Sequence, residues 1–337
     1  MLGIGMHVQS VIGRTPLVEL TTFDVPPGVR LFAKLEFLNP GGSTKDRIVR
    51  HILADAERRG LLRPGGTIVE NTSGNTGAAI AMMAAARGYR AILTMPDKVS
   101  DEKRDALRAM GAEVVVCPTS AAPGSAKHYV TCARRIHAET PGSFMLNQYD
   151  NPLNSEAHFL STGPEIWEAL GDSVTAFVAS GSTGGTISGV SRFLKERKPD
   201  ITSVLLDPVG SVYHRYFHDG VVDPGEIAPY FVEGVGEDHL AECMDFSLID
   251  DVLRFTDADA FAACHHLARR EGLVCGGTAG ANVWGAVRVA RSLEGPATVV
   301  TVLPDSGSKY MSKIYNPNWL KANGFSPGDT SERKSAL

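Results

Sequence analysis

Short β-branched runs alternate with amphipathic helical periods over most of the chain, and this alternation limits its fold more than any other feature. TIVE, RAILTM, AEVVVC, TAFVAS, TSVLLD and ATVVTV each have the length and residue types of a buried strand. Stretches of helical period lie between them. In DRIVRHILADAERRG the apolar residues Ile48, Val49, Ile52, Leu53 and Ala56 share one face, and Gly60 marks the stop. In TDADAFAACHHLARREG the stripe is Ala260, Phe261, Cys264, Leu267 and Ala268. There Asp257 is placed at the N-terminal cap, Arg269 and Arg270 in the last turn, and Gly272 at the end. Strand and helix in alternation predict an α/β fold, a parallel sheet covered by helices on both faces.

The 337 residues suffice for about two domains and for a core that needs no disulfide or metal to fold. The strand–helix run from about residue 67 to 144 reads as one compact unit, and a second run begins near Thr175. The tail SPGDTSERKSAL is polar and turn-rich, so residues 326–337 are expected to be disordered. Thirty-three Lys and Arg against 38 Asp and Glu give a net charge of -5, without the basic excess of a nucleic-acid binder. No run of about 18 apolar residues occurs, and MLGIGMHVQS lacks the basic and apolar regions of a secretory signal. A cytoplasmic location and no membrane partner are therefore expected. The five cysteines are scattered without a CxxC, which argues against a disulfide framework or a zinc site. The ten histidines, including the adjacent His265 and His266, show no ligand spacing, so no metal is expected and they are placed on helix surfaces.

Glycine is concentrated in loops that precede helices. ASGSTGGTISG follows TAFVAS and opens ISGVSRFLKER. Gly181, Gly184 and Gly185 allow close backbone approach, Ser182, Thr183 and Thr186 add hydroxyls, and the helix N-terminus adds a positive dipole. That is the chemistry of a phosphate cradle, although a tight strand-to-helix turn accounts for the same residues. It is neither a Walker loop nor a dinucleotide G-x-G-x-x-G loop. In ENTSGNTG, Thr72, Ser73, Asn75 and Thr76 present short polar groups where a carboxylate would bind, or where an elaborate N-cap would form. In NPGGSTKDR, Lys45 opens a helix and so opposes the helix dipole. Such a position favours a neutral, nucleophilic amine, although most lysines are simply solvated. In GLVCGGTAG, Thr278 starts another helix and either caps it or meets a ligand ring nitrogen.

Taken together, GRTPLVEL, NPGGSTKDR, ENTSGNTG, NQYDNPLN, GSTGGTISG, VEGVGEDH and GLVCGGTAG resemble the β-family (fold type II) of pyridoxal-phosphate enzymes. The resemblance runs from about Ile12 to Phe325 and is strongest to the cystathionine β-synthase and cysteine synthase branch. It implies a two-lobed α/β fold like that of the tryptophan synthase β-subunit, with pyridoxal 5'-phosphate in the cleft. A larger cofactor-binding lobe would comprise residues 1–45 and 146–325, so that the first strands join it. A smaller mobile lobe, residues 46–145, would close over the amino acid. By the same resemblance Lys45 is the catalytic residue, holding the cofactor covalently through its amine. Asn75 bonds the pyridine hydroxyl, Ser182, Thr183, Gly184, Gly185 and Thr186 bind the phosphate, and Thr278 faces the pyridine nitrogen. Thr72, Ser73, Thr76 and Gln148 hold the substrate carboxylate.

NQYDNPLN with Tyr149, DKVSDEKRDALRAMGAE, DPVGS and VEGVGEDH look closer to cystathionine β-synthases than to sulfhydrylases. Glu233, beside Gly234, matches an acid that would meet the amino group of homocysteine, although a rim salt bridge is the plainer role for it, and Tyr149 would otherwise be packing. Ser182 stands where the phosphate loop usually has glycine, and Thr278 where serine is common. Neither departure removes a donor. Neither a haem-binding extension nor a C-terminal nucleotide-sensing pair fits in the chain, so neither haem nor S-adenosylmethionine control is expected. The resemblance thus implies a homodimeric lyase that replaces the β-substituent of serine or an activated serine, such as O-acetylserine, with homocysteine to give cystathionine. The alternatives are a sulfhydrylase using sulfide, a specialised β-replacement in secondary metabolism, and a catalytically silent metabolite-binding module. The retained Lys45 weighs against the last.

Overall fold

The computed structural model describes residues 7–72, 74–122 and 124–325. The chain begins β1 (Leu17–Glu19), β2 (Val29–Leu35), α1 (Lys45–Arg58), β3 (Thr67–Asn71), α2 (Asn75–Arg87) and β4 (Arg90–Pro96). Next come α3 (Asp101–Ala109), β5 (Glu113–Cys117), α4 (Tyr129–Glu139), α5 (Leu153–Phe159), α6 (Thr162–Leu170) and β6 (Val174–Ser180). It then forms α7 (Gly185–Arg197), β7 (Thr202–Pro208), α8 (Tyr213–Asp219) and β8 (Asp251–Phe255). The last elements are α9 (Asp257–His266), α10 (Gly277–Arg291), β9 (Ala297–Leu303) and α11 (Pro317–Ala322). Contacts divide the described residues into two compact units. One holds those up to Ile12 with Asn39–Leu153, and the other Gly13–Leu38 with those from Asn154 onward.

In the first unit β3, β4 and β5 form a parallel sheet in sequence order. Phe144 extends the β3 edge by a parallel bridge to Ile68. α4 packs on β3 and β4 around Val69, Ile92 and Ala133, while α1 packs on α2. The stripe Ile48, Val49, Ile52, Leu53 and Ala56 is fully buried, as its helical spacing predicts. Each large side chain in such a stripe contributes roughly 1.5–3 kcal/mol by leaving water.

The second unit carries a six-stranded sheet in the order β1-β2-β9-β6-β7-β8, parallel throughout except for the antiparallel pair β1–β2. Strand periodicity of two sends side chains to both faces, and both are covered. Leu31, Ala33, Val178 and Val299 pack with α9 and α10, whereas Phe32, Phe177, Val300 and Val302 pack with α6 and α7. Three strands do not stand out in the sequence. β2 carries Lys34, which is buried and held by Glu165 at 2.7 Å and the Thr15 carbonyl at 2.8 Å. The edge strand β8 holds Asp251 and Arg254, and β1 is only three residues long.

Two further expectations need correction. The N-cap of α9 is Thr256, in a capping box with Asp259, and not Asp257. Asp257 instead accepts from the amides of Phe231 and Val232, each at 2.9 Å. Nor do the histidines all lie on helix surfaces. His265 is buried against the Ile314 carbonyl, His158 is fully buried, and His266 is half-buried on Thr22. Tertiary packing overrides the polarity of an imidazole whenever a partner waits inside. The tail 326–337 lies outside the described residues.

The register of α10 on the sheet is fixed by one side chain. Asn282, fully buried, accepts from the Ser180 amide and donates to the Val302 carbonyl, both at 2.8 Å. It thereby pins the carboxyl end of β6, where the glycine-rich loop begins. Asn282→Ala would strand the buried Val302 carbonyl and the half-buried Ser180 amide, so a loss of roughly 2–4 kcal/mol is expected in urea unfolding, at about 1–3 kcal/mol per orphaned group. A change below about 0.5 kcal/mol, a typical surface effect, would contradict this role.

Candidate active site

The first unit contributes two helix starts. Lys45 is the first residue of α1, half-buried, with its amide on Ser43 Oγ at 3.3 Å. Beneath it Asp46 is fully buried and accepts the Gly41 amide at 2.6 Å, which folds the glycine turn back onto the helix start. Asn75 opens α2, whose N-cap Gly74 has no side chain to offer the first-turn amides. Thr72 and Thr76 are buried on either side of that cap. Ser73 lies outside the described residues.

Thr76 Oγ1 donates to Gln148 Oε1 at 2.6 Å, both side chains being buried. The ENTSGNTG loop and the NQYDNPLN segment are thus brought together across 72 residues, and Gln148, which no property of the sequence around it singles out, stands beside α2. Tyr149 follows it, half-buried. Glu70, the penultimate residue of β3, accepts from the amides of Leu146 at 2.9 Å and Asn147 at 3.0 Å. Burial pushes the Glu70 carboxyl up to about 7, and the amide bonds offset this only in part.

The second unit holds the 182–186 loop between β6 and α7. Gly184, the N-cap, has φ +83°, and a Cβ there would lie 2.5 Å from Met244 Cα, so only glycine fits. Every hydroxyl of the loop has a protein partner. Ser182 Oγ donates to Glu237 Oε1 at 2.5 Å, and Thr183 Oγ1 accepts from Asn154 Nδ2 at 3.0 Å. Thr186 Oγ1 pairs with His158 Nε2 at 3.2 Å, while His158 Nδ1 pairs with Thr162 Oγ1 at 2.8 Å. Asn154 and His158 are four apart on α5 and so share one face. That i, i+4 spacing is visible in the sequence. The DPVGS run also reaches this loop, because Ser211 Oγ accepts from the Glu237 amide at 2.9 Å. Among the described residues the one grouping with metal-ligand character is Glu237, Asp238 and His239, two of them exposed.

Thr278, the second residue of α10, does not cap it; its hydroxyl donates to the Glu233 carbonyl at 2.7 Å. Gly234, at φ +80°, lies alongside. The Glu233 carboxylate pairs with Lys313 at 2.5 Å and is about a third exposed, so the rim salt bridge forms. Such an exposed pair is worth little to stability and leaves the carboxylate within reach of solutes.

Residues 8–305 match the model of the family described as pyridoxal-phosphate dependent enzyme. The chain belongs to that family. It is 40% identical over 325 residues to cystathionine β-synthase of Apis mellifera, covering 94% of this chain and 63% of the relative, so it spans less than two thirds of that relative's length. It is 38% identical over 337 residues to cysteine synthase of Dictyostelium discoideum, covering 98% of this chain and 89% of the other. The crystal structure of O-acetylserine dependent cystathionine β-synthase from Helicobacter pylori superposes with a TM-score of 0.85 at 34% identity, over 94% of this chain and all of the other.

Pyridoxal phosphate is the cofactor of the family, and the residues present fit it. A glycine-capped helix start free of acidic side chains in its first turn suits a phosphate dianion.

Glu70 gives a pH test of this geometry. Its carboxyl keeps a proton between about pH 4.5 and 7 that the unfolded chain releases, so its contribution to stability falls as pH rises through that window. Glu70→Gln is expected to flatten the fall in unfolding free energy between pH 5 and pH 7, which urea titrations at the two values will measure. An identical slope in variant and wild type would place the Glu70 titration elsewhere.

Proposed function

We propose that the protein is a β-replacement enzyme that joins homocysteine to serine or an O-activated serine, giving cystathionine. The buried Thr76–Gln148 pair at the start of α2 carries the reading, because it sets two polar side chains against a helix start whose N-cap glycine has no side chain, a place suited to an amino acid's carboxylate. The likeness to the cystathionine β-synthases of Apis mellifera and Helicobacter pylori supports it.

In this reading Lys45 anchors the cofactor, Asn75 bonds its ring hydroxyl, Thr278 faces its ring nitrogen, and Ser182, Thr183, Gly184, Gly185 and Thr186 hold its phosphate. Bound pyridoxal phosphate supplies an electron sink for charge developing at the α-carbon. Thr72, Ser73, Thr76 and Gln148 fix the substrate carboxylate, and so hold the α-hydrogen in reach of one base. The Lys45 amine takes that proton and later returns it to the same carbon, acting as base and then acid. Hydroxide must be protonated to leave, whereas acetate leaves unaided, so serine makes the heavier demand on the site. Tyr149 and Gly234 are assigned to substrate binding, and the Glu233 carboxylate offers an acceptor for the homocysteine ammonium. The enzyme acts as a homodimer in the cytoplasm.

A second reading, a sulfhydrylase making cysteine from sulfide, is favoured by the likeness to the Dictyostelium cysteine synthase over nearly the whole of both chains. Mass spectrometry of products with homocysteine and sulfide competing, for L-serine and then for O-acetylserine, separates the two. Cystathionine is expected from at least one donor. Cysteine alone, formed only from O-acetylserine, would replace the first reading with the second.

A further inference from the structure

Glu70 does more than fill a strand end. Pairing along the β3 edge stops at Phe144, whose amide bonds the Thr67 carbonyl and whose carbonyl accepts the Val69 amide. Beyond that point the backbone of residues 145–148 no longer follows a strand. Asn147 takes φ +51°, a left-handed conformation that asparagine adopts more readily than other non-glycine residues and that turns the chain here. The Asp150 and Asn151 amides bond the Asn147 carbonyl at 3.2 and 3.0 Å, Asn151 Nδ2 donates to the Leu146 carbonyl at 2.8 Å, and Glu70 Oε2 collects the amides of Leu146 and Asn147. The next residue is Gln148, and the residue two beyond Glu70 is Thr72, where the α2 loop begins. One buried carboxyl therefore ties together both chain segments of the Thr76–Gln148 cradle.

We propose that Glu70 is a positioning residue for the amino-acid carboxylate, fixing the 146–148 corner so that Gln148 stays against Thr76. The proposal rests on the reading of Thr76 and Gln148 as that carboxylate's cradle. Glu70 touches neither substrate nor cofactor in this role. It differs from a purely structural group in that its loss should act through Gln148.

The test is a double-mutant cycle on the cofactor-loaded enzyme with Glu70→Ala, Gln148→Ala and the pair, reading kcat and KM for L-serine and for O-acetylserine. Cofactor affinity is measured alongside by fluorescence. Glu70→Ala is expected to raise KM about tenfold or more, the loss from about one charge-assisted hydrogen bond, with kcat and cofactor affinity little changed. Glu70→Gln, which keeps an acceptor oxygen, should recover most of it. On the Gln148→Ala background Glu70→Ala should add less than about twofold, since coupled residues are not additive. Should Glu70→Ala not fold, Glu70→Asp, whose oxygens fall one methylene short, is read in its place. A KM unchanged by Glu70→Ala, or effects of the two substitutions that multiply in full, overturns the proposal. A Gln148→Ala enzyme with wild-type KM sinks the cradle itself.

Discussion

A helix begins with backbone amides that nothing inside the helix can satisfy, and three helix starts of this protein leave that deficit without a side-chain cap. α2, α7 and α10 start from Gly74, Gly184 and Gly276, residues with no side chain to cap them. α9, by contrast, has a complete capping box. Other helices also lack a side-chain cap, but these three start from glycine, which leaves room for an anion or polar ligand to reach the first-turn amides. Parallel sheets put such starts at the carboxyl ends of strands, where α2 follows β3 and α7 follows β6. The alternation of strand and helix thus fixes where the chemistry can be before any polar residue is chosen.

Polar side chains then decide where each hydroxyl sends its single proton. Thr76, Ser182 and Thr278 already donate, to Gln148, Glu237 and the Glu233 carbonyl. Thr183 accepts from Asn154 and keeps its own proton for a ligand. The Ser182 hydroxyl is thus committed to Glu237, which leaves its amide, the group a glycine at this position would also offer. Asp257 and Tyr230 work on the backbone in the same way. The former holds the amides of residues 231 and 232, and the Tyr230 hydroxyl donates to the Val235 carbonyl at 2.9 Å, so the Glu233–Gly234 turn is braced on both sides.

The architecture was legible because apolar periodicity is a local property, and six of the nine strands show it. The loops were legible because glycine and hydroxyl residues cluster before helices. What escaped was side-chain pairing over long separations. Lys34 reads as a surface residue until Glu165 meets it, and His265 until the Ile314 carbonyl does. Glu70 carries no local sign of its bonds to residues 76 and 77 positions further along the chain. Asn154 and His158 were within reach of helical spacing, since both lie on α5 facing the α7 start. Gln148 is singled out by likeness to a family and not by any physical feature of its own segment, and the structure shows its contact with Thr76.

The central claim is that the helix-opening Lys45 is the group that holds the cofactor. Incubation with pyridoxal phosphate, borohydride reduction and peptide mapping by mass spectrometry would test it most directly, because reduction locks the cofactor to the amine that carries it. The account predicts one modified peptide, with the added mass on Lys45. Label spread over surface lysines, or absent from Lys45, would contradict it.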